Sequence, residues 1–255
     1  KKAYPVAFDY MDAYLKTNRN PKDTIIPRVS YWATICAYNA KNPVNTRRYI
    51  DAAIAWADSA QKPVLQEYKA RTYVWQNDEK NWLKELNTGV KRYPEHDYFF
   101  LNLLDWYNTH HQYEQGLALA DSLLDVHHEK PLFWYAKSLL SLGKEDYQHC
   151  IQFSDSCIIR DKKYADAYYN KCLSFCNLAL IAQQDACNDL KDPKCIEDRR
   201  VIQSLYQSAR PCMEKVRQLQ PENSARWASP LYRIYLNLNM GKEFDEIDAV
   251  LKKMK

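Results

Sequence analysis

The sequence predicts an all-α protein, an α-solenoid of stacked antiparallel helix pairs, and three observations carry that reading. Apolar and small residues recur at three- and four-residue spacing, as in Tyr147, Cys150, Ile151, Ser154, Cys157 and Ile158, or in Tyr113, Leu117, Ala120, Leu123 and Leu124. That spacing lines one face of a helix, whereas period-two alternation is hard to find anywhere. Only 4 of the 255 residues are glycine, too few for a turn-dense β fold, which needs them at positive φ. Finally, Pro21, Pro43, Pro63, Pro94, Pro131, Pro193 and Pro221 fall between the periodic segments, where proline suits a first helical turn or ends a helix.

Taken in order, residues 6–17 read as one extra helix, so that residues 1–23 cap the N-terminal end and residues 24–255 form about six helix pairs with a period near 34. The first pair begins near Val29, with Trp32, Ile35 and Cys36, then Ile50, Ala53, Ala57 and Ala60. The second begins near Pro63, with Ala70 and Tyr73, then Leu86 and Gly89. The third begins at Asp97, with Phe100, Leu103, Leu104 and Tyr107, then Tyr113, Gly116, Ala120 and Leu123. The fourth begins at Pro131, with Trp134 and Ser138, then Tyr147, Cys150, Ser154 and Cys157. The fifth begins at Ala165, with Tyr168, Cys172 and Phe175; its second helix is displaced by an insertion near 183–198 and resumes at Tyr206, with Ala209, Met213 and Val216. The last begins near Ser224, with Trp227, Leu231 and Ile234, then Phe244, Ile247 and Leu251. Pro211 is expected to kink or restart its helix, and Pro230 to start one, with Ser229 as N-cap. Small residues sit where paired helices approach closely and aromatics fill the spaces between pairs, each pair burying one face on its neighbour. Gly89 and Gly116 take close-packing positions, and Gly143 and Gly241 are placed in turns.

Over roughly residues 24–255 this pattern resembles the tetratricopeptide-repeat family, whose unit is two antiparallel helices of about 34 residues. The resemblance implies a non-catalytic scaffold that binds a protein or peptide along a concave groove lined by the first helix of each pair. Carried over by register, the groove positions are Tyr68, Arg71, Trp75, Tyr98, Asn102, Asp105, Tyr135, Tyr169, Asn170, Tyr232 and Tyr235. Tyrosine suits such a role because it joins a rigid apolar body to a hydrogen-bonding tip. Members that bind chaperone tails clamp a terminal carboxylate with Lys and Asn; here the corresponding positions carry Leu101, Asp105, Ala136 and Tyr135, so that clamp is not expected.

Composition narrows the alternatives. Hydrophobic residues at 46% and charged residues at 27% are globular values. The net charge of +4 is spread thinly and makes no basic stripe, which argues against a nucleic-acid partner. The longest wholly apolar run, Ala52 to Ala57, is far short of the roughly 20 residues of a transmembrane span. Cys36, Cys150, Cys157 and Cys172 fall at small-residue packing positions. Cys187 and Cys195 flank a Pro turn in the insertion and are either bridged or two thiols; Cys176 and Cys212 are a second pair that paired helices can bring together. No CxxC occurs, and the histidine pairs His110-His111 and His127-His128 are placed in turns at opposite ends of one helix, roughly 25 Å apart, so no metal site is expected. No phosphate loop, GxGxxG, GxSxG or HExxH is present, and neither a cofactor nor an enzyme activity is expected. The start at Lys1 rather than Met and the possible bridge favour an exported, periplasmic-type location over a cytoplasmic one. Competing readings are an oligomerisation or structural module that self-associates, a small-molecule or glycan binder using the tyrosines and Trp75, and an enzyme with its site in the insertion.

Overall fold

The computed structural model describes residues 3–18, 20, 23–187 and 192–254, and among them it contains thirteen helices and no strand. They divide into two compact units, Lys1–Trp106 and Tyr107–Lys255. The first holds α1 (Ala3–Thr17), α2 (Ile25–Asn39), α3 (Pro43–Trp56), α4 (Gln61–Val74), α5 (Glu79–Arg92) and most of α6 (Asp97–Thr109). The second continues with α7 (Tyr113–Leu124), α8 (Pro131–Gly143), α9 (Tyr147–Arg160), α10 (Ala165–Gln184), α11 (Pro193–Leu219), α12 (Ser224–Asn237) and α13 (Gly241–Met254). Within each unit helices pack on their neighbours in chain order.

Five of the pairs turn in the same way. Lys41, Asn77, His111, Glu145 and Asn239 adopt left-handed backbone with φ of 60, 55, 55, 63 and 54°. In each turn the next residue's N–H reaches back to a carbonyl five residues earlier, as Asp78 to Tyr73 at 3.0 Å and Asp146 to Ser141 at 2.9 Å. This is the Schellman geometry that satisfies the last carbonyls of a helix. The following helix then starts on a side-chain cap: Asn42, Asp78 and Asp146 accept from the N–H groups of Asn45, Asn81 and His149. No glycine has positive φ, so the placement of Gly143 and Gly241 in turns is corrected: Gly143 ends α8 and Gly241 begins α13. Glycine is needed instead for close approach. A Cβ on Gly89 would stand 2.2 Å from the buried ring of Phe99, whereas one on Gly241 would meet nothing within 4 Å.

At two prolines the helix continues where a restart or a start was expected. α11 runs unbroken for 27 residues through Pro211, and Pro230 lies inside α12, which starts at Ser224 on Asn223. An internal proline costs a helix about 3 kcal/mol. Around Pro211, burial of Tyr206, Ala209, Cys212, Met213 and Val216 offsets that cost, and Trp227, Ala228, Leu231 and Ile234 do the same around Pro230. The insertion is accordingly an extension of α10 and α11 with a short junction, of which residues 188–191 lie outside the described residues.

At the N-terminal end α1, three residues longer than expected, buries Phe8 against Ala33 and Ala37. Its buried Asp12 receives Lys16 Nζ at 2.6 Å, Arg48 Nη1 at 2.8 Å and the Tyr49 hydroxyl at 2.7 Å. Burial alone would raise this carboxyl, but the three donors hold it at about 2, below its usual 3.8.

Three outcomes follow from these contacts. Gly89→Ala should destabilise the protein by about 2 kcal/mol in denaturant unfolding, while Gly241→Ala leaves it unchanged or slightly more stable. Glu145→Gly, although it removes a side chain, should stabilise by about 1 kcal/mol because glycine enters the left-handed region without cost. Since the folded pKa of Asp12 lies below the unfolded one, its contribution is present above about pH 4 and lost as pH falls toward 2. Asp12→Asn should therefore lower Tm at pH 7 and flatten its fall across that window, as read by circular dichroism.

Candidate binding site

A well-formed depression in the first unit lies where α4, the α4–α5 turn, the start of α5 and α6 meet. It encloses about 720 Å³ and is lined by Arg71, Val74, Trp75, Asn77, Asp78, Glu79, Trp82, Tyr98 and Asn102, a volume within the usual range of ligand pockets. Local structure explains each contribution. Arg71 is on the last turn of α4, and Trp75 is its C-cap. Asn77 is the left-handed turn residue and Asp78 the N-cap of α5, so the turn that reverses the chain also builds one wall. Tyr98 and Asn102 are one turn apart on α6, with the Asn102 amide donating to the Tyr98 carbonyl at 2.7 Å.

The polar groups are held in place before any ligand arrives. Arg71 Nε donates to Glu67 Oε1 at 2.7 Å, and its guanidinium carbon lies 4.9 Å from the Tyr98 ring centroid. The other Glu67 oxygen is 2.7 Å from His96 Nε2. Burial raises the Tyr98 phenol above its ordinary range, against the pull of Arg71, so it stays a neutral donor. Asp78 is lowered by its hydrogen bonds from the Asn81 side chain and backbone and stays ionised. Glu79 accepts from Trp106 Nε1 at 2.6 Å. Trp82 Nε1 is a buried donor without a well-aligned partner.

Beside the cavity runs an aromatic row. Tyr68 stacks on Tyr38 with centroids 3.7 Å apart and planes 7° from parallel, Tyr38 lies 5.0 Å from Trp75, and Lys41 Nζ sits 4.5 Å over the Trp75 ring. Arg71, Trp75, Tyr98 and Asn102 are thus brought together by the structure, with Tyr68 one ring away. Trp82, Tyr38 and Lys41 were not among the register positions. Trp82 belongs to a second helix, which the register excludes, while Tyr38 comes from the last turn of α2 and Lys41 from the turn that follows it.

The remaining register positions lie elsewhere. Asp105 is exposed on α6 and does not line the cavity. In the second unit Asn170 and Tyr235 are buried with partners of their own, which corrects their assignment to a groove. The Asn170 amide donates to Ser138 Oγ at 3.0 Å, and the Tyr235 hydroxyl to Glu214 Oε1 at 3.1 Å. Tyr135 packs 5.1 Å from Tyr164, and burial pushes its phenol to about 12. Tyr232 packs 4.6 Å from Phe244, and Tyr169 lies under Arg226 at 4.4 Å. These half-buried rings serve packing between helices.

All eight cysteines are unbridged, Cys187 and Cys195 included. Among the described residues no group of three His, Cys, Asp or Glu converges as a metal site, and no helix is long and apolar enough to cross a membrane. Ser141, His149 and Asp146 line a smaller depression, but His149 is largely exposed, Asp146 is engaged in capping α9, and no hydrogen bond joins His149 to Ser141. In this depression Ser141 and His149 are therefore not in the contact that a nucleophile and its base make.

No family model and no curated protein matches the sequence. Solved structures do. The C-terminal part of a TPR repeat-containing protein from Cytophaga hutchinsonii aligns with a TM-score of 0.60 at 11% identity, over 96% of this chain and 88% of that one. PilW, described as a widely conserved type IV pilus biogenesis factor, aligns with a TM-score of 0.54 at 10% identity, over 91% and 94%. IFIT1, solved as a monomeric mutant with Gppp-AAAA, aligns with a TM-score of 0.59 at 13% identity, over 97% of this chain and 55% of that one. The chain has the tetratricopeptide-repeat fold.

Proposed function

We propose that this protein is a non-catalytic binding module that holds a peptide, or a short segment of another protein, in the α4–α6 cavity. One observation carries the reading. Four residues chosen by helix register alone, Arg71, Trp75, Tyr98 and Asn102, converge on one cavity of about 720 Å³. Its chemistry suits a peptide. Trp75, Trp82 and Tyr98 offer rigid apolar surface at low conformational cost. Arg71 and Asn102 offer hydrogen bonds to a backbone or a side-chain amide. Arg71 is already fixed by Glu67 and Tyr98, so little ordering remains to be paid on binding.

The fold does not choose the ligand, as the neighbour solved with Gppp-AAAA illustrates; the charges do. The wall carries two carboxylates, Asp78 and Glu79, against one guanidinium that is itself paired with Glu67. A phosphate backbone would meet net repulsion there, since such ligands call for concentrated positive charge.

The test is selection of random peptides displayed on phage, followed by titration of one selected peptide. Arg71→Ala and Trp75→Ala should each weaken binding at least tenfold, about 1.4 kcal/mol, with helical content unchanged by circular dichroism. Tyr10→Ala, which alters an exposed residue of α1, should bind as the unaltered protein does. Equal affinity for all four proteins would remove the cavity as the binding site.

A further inference from the structure

The junction of α10 and α11, in the other unit from the cavity, holds two cysteines in unusual proximity. The Cys187 N–H donates to Asp198 Oδ2 at 2.9 Å, tying the chain after α10 to the second turn of α11. Asp192 caps α11, its carboxylate accepting from the Lys194 N–H at 2.8 Å and its carbonyl from the Cys195 N–H at 2.9 Å, which fixes Cys195 in the first turn. As a result Cys195 Sγ lies 2.6 Å from the carbonyl oxygen of Cys187. One sulfur rests against the backbone of the other cysteine, and close approach of this kind is what a disulfide, spanning Cα atoms about 4.4–6.8 Å apart, requires. The two differ in access: Cys195 is only 2% exposed, whereas Cys187 is partly open to solvent. Cys150, Cys157, Cys172, Cys176 and Cys212 are all buried along helices.

We propose that Cys187 and Cys195 form a reversible disulfide that clamps the α10–α11 junction, with Cys187 reacting first with a low-molecular-weight disulfide and Cys195 closing the bridge. The Cys187 thiolate attacks one sulfur of oxidised glutathione; that S–S bond breaks, one glutathione leaves as its thiolate, and a mixed disulfide remains on Cys187. The Cys195 thiolate then attacks the Cys187 sulfur and displaces the second glutathione thiolate. The protein gives up two electrons and two protons, and the glutathione disulfide takes them as two thiols. Burial pushes the Cys195 thiol up to about 11, and since the thiolate is the attacking species, closure quickens as pH rises. The bridge stands closed in an oxidising compartment and open against a reducing glutathione pool.

The test uses the whole chain in glutathione buffers of graded reduced-to-oxidised ratio, quenched with acid, digested with trypsin without reduction and read by mass spectrometry. Cleavage after Lys191 and Lys194 separates the two cysteines, so a bridge appears as cross-linked peptides. The unaltered protein should give that cross-link in the oxidised buffers, together with a Tm higher by about 5 °C. Cys195→Ser should trap glutathione on Cys187, and Cys187→Ser should leave Cys195 unmodified. If Cys187 takes up glutathione but never cross-links, or if both cysteines stay reduced in the most oxidising buffer, the proposal fails. A cross-link that leaves Tm unchanged removes the clamp.

Discussion

Two helices can lie side by side in antiparallel fashion only if the chain reverses within a few residues while the last carbonyls of one helix and the first amides of the next still find partners. Much of this structure depends on how that is solved. A residue in left-handed backbone ends the first helix, a backbone bond closes the turn, and in three of the five turns an Asn or Asp side chain caps the second helix. The left-handed position is taken by Lys, Asn, His and Glu rather than glycine. The conformational cost at each is of order 1 kcal/mol, and the burial that follows when the helices meet exceeds it. The glycines serve the other half of the problem, close approach. At Gly89 and Gly116 a Cβ would stand 2.2 Å from Phe99 and 2.8 Å from Leu140, so the helix spacing at those points is set by the absence of a side chain.

The same reversal builds the candidate site. Because Asp78 is committed to capping α5 and Asn77 to the turn, both are immobile, and Trp75 is presented from the end of α4 at a fixed angle. Arg71, one turn earlier, is braced by Glu67 and by the Tyr98 ring. The cavity is therefore an arrangement of groups already satisfied at one end and open at the other. That is the condition under which polar groups favour a ligand without a large ordering cost.

Buried polar residues distinguish the interior from the cavity wall. Gln66 donates to Glu85 at 2.6 Å, and Lys69 joins Glu85 to Asp51 at 3.4 and 2.9 Å. In the other unit Asn170 bridges α10 to Ser138 of α8. Gln66, Glu85 and Asn170 are buried, and each has its partner within the protein, which offsets the cost of that burial. Asn170, which shares register with Asn102, is held in this way by Ser138, and Tyr235 by Glu214.

The sequence by itself determined the helical class and the succession of helices, with α6, α8, α10 and α12 starting at Asp97, Pro131, Ala165 and Ser224 as read, because these follow from local periodicity and from proline and cap residues acting within a turn or two. Register, a local property, also singled out Arg71, Trp75, Tyr98 and Asn102, which line one cavity. Tertiary structure alone decided which faces met. It turned Asn170 and Tyr235 inward, added Trp82 from a second helix, and carried α11 and α12 through Pro211 and Pro230. These outcomes depend on burial against residues far away in the chain. The energy that carries a helix through a proline, or assigns a tyrosine to the core rather than to a cavity, lies in contacts that no local window contains.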